Sequence, residues 1–328
     1  MGEIFNGYEL IEPFGNHNAG SSRWTFAKRD GEVYFLKEFI EPVFPDEDSL
    51  SSGLRSVRIA ECLDYEKKKK KLCEAINRVS DGNMLRIIEF FRCDSHYYIA
   101  TQKVKSESLT MKEISQLPLS DRILLCLTAA HSVSQLHKAN IIHADIKASN
   151  LLLQRTADRK LSTKLIDMDS SFFEDDPPEP DDLAVDSVYF APEACQYYFG
   201  DPVSLSCKMD VFSLGLLFHE YLTGELPEFD TAEYDYAYEA VLDGSHLTVS
   251  PTLPLNLRRL LQAMLTPDPE QRVSSIDVFL CLRALFKDEN GIPGGGRQIP
   301  TADPVYKPDS NNPTPTHSTK NFYTAGDL

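Results

Sequence analysis

Strand-forming and helix-forming sequence occupy two separate blocks of this chain, and that order restricts the folds open to it. From residue 8 to about 103 the sequence is rich in β-branched and aromatic residues, as in Val33-Tyr34-Phe35-Leu36-Lys37-Glu38-Phe39 and Tyr97-Tyr98-Ile99-Ala100, with one long helical interruption. From 104 to about 287 apolar residues return at helical spacing: Ile123, Cys126, Leu127, Ala130 and Val133, then Leu214, Leu217 and Phe218, then Leu257, Leu260, Leu261 and Met264. A strand-rich piece followed by a helix-rich piece predicts an α+β architecture of two lobes with a cleft between them. After about residue 288 the sequence turns to Gly-Ile-Pro-Gly-Gly-Gly and then to polar, Pro- and Thr-rich stretches. Such sequence buries too little surface to offset the entropy of ordering. The expected organisation is an N-terminal lobe over 1–103, a C-terminal lobe over 104–287 and a disordered tail over 288–328.

Composition narrows the class of partner. The 328 residues are 42% hydrophobic, as in globular proteins, and carry a formal charge of -17. That charge argues against general affinity for nucleic acid or an anionic membrane and favours a basic peptide. The 7 cysteines are scattered, and no Cys-x-x-Cys pair suggests zinc or a disulfide framework. Residues Met1 to Leu10 lack the apolar core of a signal peptide, and the apolar run Val211 to Phe218 is too short to span a bilayer. A soluble, cytoplasmic protein is expected.

The chemistry concentrates in His143-Ala144-Asp145-Ile146-Lys147-Ala148-Ser149-Asn150, followed about 17 residues later by Leu165-Ile166-Asp167-Met168-Asp169. Apolar runs Ile141-Ile142 and Leu151-Leu152-Leu153 flank the first of these and would hold a rigid loop at a cleft floor. Phosphoryl transfer needs such a set: a carboxylate to deprotonate a hydroxyl, a lysine to offset developing charge, and oxygen donors for magnesium. In its ordered motifs the chain resembles the eukaryotic-type protein kinase superfamily, with a bacterial-like serine/threonine flavour, over roughly residues 8 to 287. The family pattern is His-Arg-Asp-x-Lys-x-x-Asn followed by Asp-Phe-Gly, and this chain departs from it at Ala144, Met168 and Asp169. The resemblance implies that Asp145 is the catalytic base, Lys147 the cation near the transferring group, and Asn150 and Asp167 the Mg2+ ligands. His143 is then a packed support.

At the nucleotide end the resemblance places Gly15 and Gly20 at the first and third glycines of a phosphate-covering loop, with His17 in place of the middle one. Taken alone, that match is also what an ordinary Gly/Asn turn would give. Lys37, 22 residues after Gly15, shares strand parity with Val33, Phe35 and Phe39 and so points toward an apolar side. A lysine there requires a partner. A glutamate on the interrupting helix is expected, either Glu66 or Glu74, which flank Lys67-Lys68-Lys69-Lys70-Lys71. Glu66 lies on the stripe of Ile59, Cys62, Leu63 and Cys73 while Glu74 falls off it, so Glu66 is preferred. The lysine run reads as a solvated helix face. By resemblance, Thr101 backs the ATP pocket, and Gln102 to Val104 form the hinge that offers backbone groups to adenine.

Three further matches are architectural. Ala191-Pro192-Glu193 and Arg272 correspond to a buried ion pair of the family, and Asp210 to the aspartate that anchors the catalytic loop. They favour a protein substrate over a small-molecule phosphoryl acceptor, and Lys147 with Ser187 favours serine and threonine. Ala144 stands where many kinases carry an arginine that binds a phosphorylated activation segment. Glu174, Asp175, Asp176, Glu179, Asp181 and Asp182 make that segment acidic already, so activity is expected without an activating phosphate. The rival reading is a pseudokinase scaffold that binds nucleotide or partners without transfer. In the tail, Thr314, Thr316, Ser318 and Thr319 are candidate phosphorylation sites that a phosphopeptide-binding domain would read and a phosphatase would reverse.

Overall fold

The computed structural model describes residues 3–15, 22–46, 52–183 and 186–290. Gly20, His17 and the tail threonines and serine lie outside the described residues. The strand-rich block forms one antiparallel six-stranded sheet from β1 (Ile4–Phe5), β2 (Tyr8–Leu10), β3 (Ser22–Arg29), β4 (Glu32–Phe39), β5 (Ile87–Cys93) and β6 (His96–Gln102), in the order β1-β2-β3-β4-β6-β5. Asp30 and Gly31, at φ 53° and 84°, make the two-residue turn that sets Arg29 opposite Glu32 in the β3–β4 hairpin. Helix α1 (Ser52–Val79) runs between β4 and β5.

Alternation along β4 divides its side chains between two cores. Leu36 joins Tyr8, Ala27, Phe91, Tyr98 and Ala100 in a small cluster on one face. Phe39 and Ile99 belong to the main core, which takes in Cys62, Leu72 and Ile76 of α1. Lys37, opposite Ile99 in the ladder, is on the Phe39 face, as its parity predicts. Glu38, at 3% exposure, is satisfied on the opposite face by Arg23 at 2.5 Å and the Tyr98 hydroxyl at 2.9 Å.

The second block is mostly helical: α2 (Met111–Ser115), α3 (Leu119–Lys138), α4 (Pro192–Tyr198), α5 (Lys208–Thr223), α6 (Ala237–Leu242), α7 (Leu255–Met264) and α8 (Ser275–Glu289). Short strands β7 (Ile141–Ile142), β8 (Leu151–Arg155), β9 (Leu161–Leu165) and β10 (Phe172–Phe173) lie between α3 and α4. Helix α5 is buried from Met209 to His219 and forms the centre of the block. It approaches α7 closely at Gly215, where a Cβ would meet Leu265 Cδ2 at 2.9 Å and Met264 Cβ at 3.2 Å. The two blocks are stitched by backbone bonds from Leu85 N–H to Leu165 O and from Leu165 N–H to Asn83 O, both 2.8 Å. Among the described residues no helix is long and apolar enough to cross a membrane.

One buried titratable group on α5 makes stability depend on pH. His219 Nε2 accepts the Ser250 N–H at 3.0 Å, so Nδ1 carries the proton toward Glu225 O at 2.7 Å. Burial holds its pKa below the ordinary 6.5. The unfolded chain therefore binds a proton near pH 6.5 that the folded chain refuses, and stability declines as pH falls from there toward the folded value. Urea midpoints measured at pH 7 and 5.5 are expected to fall more steeply for the natural chain than for His219→Gln. Parallel declines would remove His219 as the cause.

Candidate active site

The loop carrying Asp145, Lys147 and Asn150 leaves β7 at Ile142 and enters β8 through one turn of 3-10 helix, Ala148–Asn150. Asp210, near the start of α5 and 1% exposed, fixes the backbone of this loop. Its Oδ2 accepts from the His143 N–H at 2.7 Å and its Oδ1 from the Ala144 N–H at 2.9 Å, while His137 Nε2 lies 2.9 Å from Oδ2. Burial pushes the Asp210 carboxyl up, but the His137 bond, the two imidazoles and the His143 amide outweigh it and leave the pKa below the ordinary value. Ala144 holds φ 67°, a left-handed conformation that costs a non-glycine residue energy and that the Asp210 bond stabilises. His143 is fully buried, with Nε2 3.1 Å from Ile166 O, the residue before Asp167.

Side chains then converge. Asp145 receives Lys147 Nζ at 3.0 Å on Oδ1 and Asn150 Nδ2 at 2.8 Å on Oδ2. Asn150 Nδ2 also bonds the Asp145 carbonyl at 2.8 Å, so the amide presents its Oδ1 outward. Ile166 N–H bonds Asn150 O at 3.0 Å and delivers Asp167, at φ 59°, beside it. Lys37 Nζ lies 3.0 Å from both Asp167 oxygens and 2.5 Å from Asp169 Oδ2. Two polar groups, Lys37 with Asp167 and Lys147 with Asp145 and Asn150, are thus joined through the backbone bond between Ile166 and Asn150. Lys147 also meets Asp186 at 3.3 Å, a residue that no sequence motif singles out. Burial lowers the Lys147 pKa, but Asp145 and then Asp186 raise it further, so the ammonium stays charged.

The remaining residues named for the nucleotide end lie on or beside the six-stranded sheet. Gly15 pairs with Trp24 through bonds of 2.9 and 3.0 Å. Thr101 is 6% exposed at the end of β6, and among the described residues its buried Oγ1 has no hydrogen-bond partner, which fits a pocket whose occupant supplies one. Gln102 and Val104 follow where the chain passes from sheet to helices, with Lys103 N–H bonded to Val33 O at 3.3 Å. Magnesium in phosphoryl-transfer sites takes one or two carboxylates and completes its octahedron with water and phosphate oxygens. Asp167 with Asn150 Oδ1 is a donor set of that kind. Among the described residues no group of three or more His, Cys, Asp and Glu forms a closed metal cage.

Residues 58–282 match the family described as protein kinase domain. The chain belongs to the protein kinase family. It is 24% identical over 294 residues to Serine/threonine-protein kinase DCLK1 of Rattus norvegicus, covering 88% of this chain and 64% of that protein. It is 29% identical over 213 residues to Serine/threonine-protein kinase ULK3 of Xenopus laevis (63% of this chain, 43% of that one). It is also 25% identical over 228 residues to Probable serine/threonine-protein kinase CPE1738 of Clostridium perfringens (67% and 32%). The chain therefore spans between about a third and just under two thirds of these relatives' lengths. The family match begins after β4, so Gly15 and Lys37 are placed by the structure rather than by the match.

The structure corrects the expected partner of Lys37. Glu66 does not reach it: its carboxylate meets Arg92 at 3.1 Å, the Tyr97 hydroxyl at 3.3 Å and Lys70 at 3.4 Å. Glu74 is exposed. The inner stripe of α1 is Cys62, Lys69, Leu72, Cys73 and Ile76, with Leu63 left 51% exposed. The helix is rotated relative to the stripe read from Ile59, Cys62 and Leu63, so Glu66 turns toward β5 and β6. The lysine run is also not uniformly solvated. Lys69 is 8% exposed, with Nζ 2.9 Å from Asp169 O and over the Phe39 ring at 5.2 Å.

Proposed function

We propose that this chain transfers the γ-phosphate of Mg-ATP to serine and threonine hydroxyls of proteins. The observation that carries the reading is Asp145, held between Lys147 and Asn150 on a loop that the buried Asp210 fixes. In this role Asp145 accepts the proton of the acceptor hydroxyl and aims its oxygen. Lys147, kept protonated by Asp145 and Asp186, offsets negative charge on the transferring group. Lys37 contacts the nucleotide phosphates, Thr101 closes the back of the pocket, and Gln102 to Val104 offer backbone groups to the base. Asp167 and Asn150 would hold magnesium, which when bound neutralises phosphate charge. The lobes assigned to these tasks are 1–103 for nucleotide and 104–287 for catalysis and substrate.

The segment between Asp167 and Ala191 supports activity without an added phosphate. Phe172 and Phe173 pair with Ile142 and Ile141, Glu174 N–H bonds Asn140 O at 2.8 Å, and Glu174 Oε1 accepts from the Cys207 N–H at 3.2 Å. A carboxylate native to the chain thus does ordering work that a phosphate does elsewhere, and Ala144 offers no guanidinium for one. Exposed Asp175, Asp176, Asp181 and Asp182 favour basic protein substrates in a reducing, cytoplasmic setting.

The test is incubation of the purified chain with labelled ATP, magnesium and a generic basic protein, before and after phosphatase treatment. Equal transfer in both is expected. Nucleotide binding with no transfer would establish the scaffold reading, and activity lost on phosphatase treatment would remove the claim about the segment.

A further inference from the structure

We infer that Asp169 takes over from a helix glutamate as the carboxylate that positions Lys37, and that Lys69 is the compensating change on α1. The inference rests on the proposed function and assigns work to Asp169, one of the residues by which this chain departs from the family pattern, and to the buried Lys69.

Protein kinases need the sheet lysine paired with a helix glutamate for the phosphates to be gripped. No carboxylate of α1 is available here, since Glu66 is committed to Arg92 and Tyr97, and Glu61, Asp64 and Glu74 are exposed. Asp169 Oδ2 sits instead 2.5 Å from Lys37 Nζ, closer than the 3.0 Å to Asp167. Asp167 cannot be the lasting partner, because the same carboxylate is the one a metal would claim. Asp169 is then the group that still aims the ammonium when Asp167 is engaged elsewhere.

Lys69 makes the exchange electrostatically possible. Two carboxylates, Asp167 and Asp169, face one ammonium, Lys37, and crowding them without a further cation is unfavourable. Lys69, buried on the inner stripe with Nζ 2.9 Å from the Asp169 carbonyl oxygen, supplies that cation and brings two negative charges to balance against two positive ones. A glutamate in its place would set three carboxylates around Lys37. The helix therefore donates to the segment after β9, where the family's helix accepts from the sheet lysine. Asp169 and Lys69 are positioning residues, acting on phosphate through Lys37.

The test is a charge-relocation series: Asp169→Asn, Lys69→Glu, and the double variant Lys69→Glu with Asp169→Gly. Asp169→Asn, close to isosteric, is expected to raise KM for ATP about tenfold with a smaller change in kcat, the loss of one charge-assisted hydrogen bond. Lys69→Glu alone falls at least as far. The double variant, which moves the carboxylate back to the helix, recovers to within about threefold of the natural chain. Thermal midpoints show that each variant is folded. Unchanged kinetics in Asp169→Asn, or a double variant no better than the worse single, overturns the inference. MgATP binding by titration calorimetry is read in parallel. If the natural chain binds but transfers nothing, the same pattern in Kd upholds the positioning roles while the proposed function fails. A natural chain that binds no nucleotide overturns both.

Discussion

Asp145→Asn leaves a folded, nucleotide-binding protein whose transfer to a protein acceptor is lower by about 10²- to 10⁴-fold, the usual contribution of a positioned general base. The substitution keeps the shape and removes the basic oxygen. The loop does not depend on Asp145 for its path, because Asp210 holds the His143 and Ala144 amides at 2.7 and 2.9 Å. Lys147 keeps Asp186 at 3.3 Å, and the Asn150 amide keeps the carbonyl of residue 145 at 2.8 Å. Lys37 and Thr101 lie on the sheet and are untouched, so MgATP affinity is expected to stay within about threefold, as for a remote, independent site. Single-turnover transfer together with equilibrium binding checks both halves. A rate above a tenth of the natural chain would deny Asp145 the role of base, and loss of nucleotide binding would show that the residue is structural.

What the sequence made legible was local. His143 through Asn150 lie within one loop, so their spacing alone places acid, lysine and amide on a common surface, and the structure brings them within 2.8 to 3.0 Å. Strand parity placed Lys37 on the inner face because a strand's period of two leaves only one alternative. The helix was harder. A run of five lysines reads as solvent-exposed, since an isolated buried ammonium is costly. Lys69 is buried because Asp169, 100 residues away, offers its carbonyl, and no local pattern records that partner. The pairing of Lys37 with Asp169 is equally non-local, so the sequence points to a helix glutamate that α1 does not provide. Asp186 is hidden in the sequence for a related reason. It lies in an acidic stretch that reads as a charged surface, and only the tertiary fold sets its carboxylate beside Lys147.

Arg272→Ala is expected to cost roughly 3–5 kcal/mol of stability, the usual penalty for stranding one member of a buried ion pair. At the sensitivity of a domain this size, the loss corresponds to a fall of roughly 10 °C in the thermal midpoint. Arg272 is 1% exposed, and every N–H of its guanidinium is used. Nη1 and Nη2 meet the two Glu193 oxygens at 2.5 and 3.0 Å, while Thr266 O, Lys208 O and Pro267 O accept at 2.9, 2.8 and 3.0 Å. Removing the fork leaves Glu193, 4% exposed, without its cation and takes away the guanidinium donor to Thr266 O, Lys208 O and Pro267 O. Arg272→Lys recovers little, because a point ammonium cannot fill five directions. The cycle with Glu193 discriminates between causes: Glu193→Leu combined with Arg272→Met is expected to cost less than the two single changes summed, since no buried charge remains. Strict additivity in denaturant melts, or a loss under about 1 kcal/mol for Arg272→Ala, would mean that packing rather than the ion pair sets the stability here. Function is coupled to the same bonds. Lys208 begins α5 and Asp210 follows two residues later, so loosening the Arg272 bond to Lys208 O weakens the carboxylate that holds the catalytic loop. Transfer activity in Arg272→Ala is therefore expected to fail on heating before the bulk of the helices unfold.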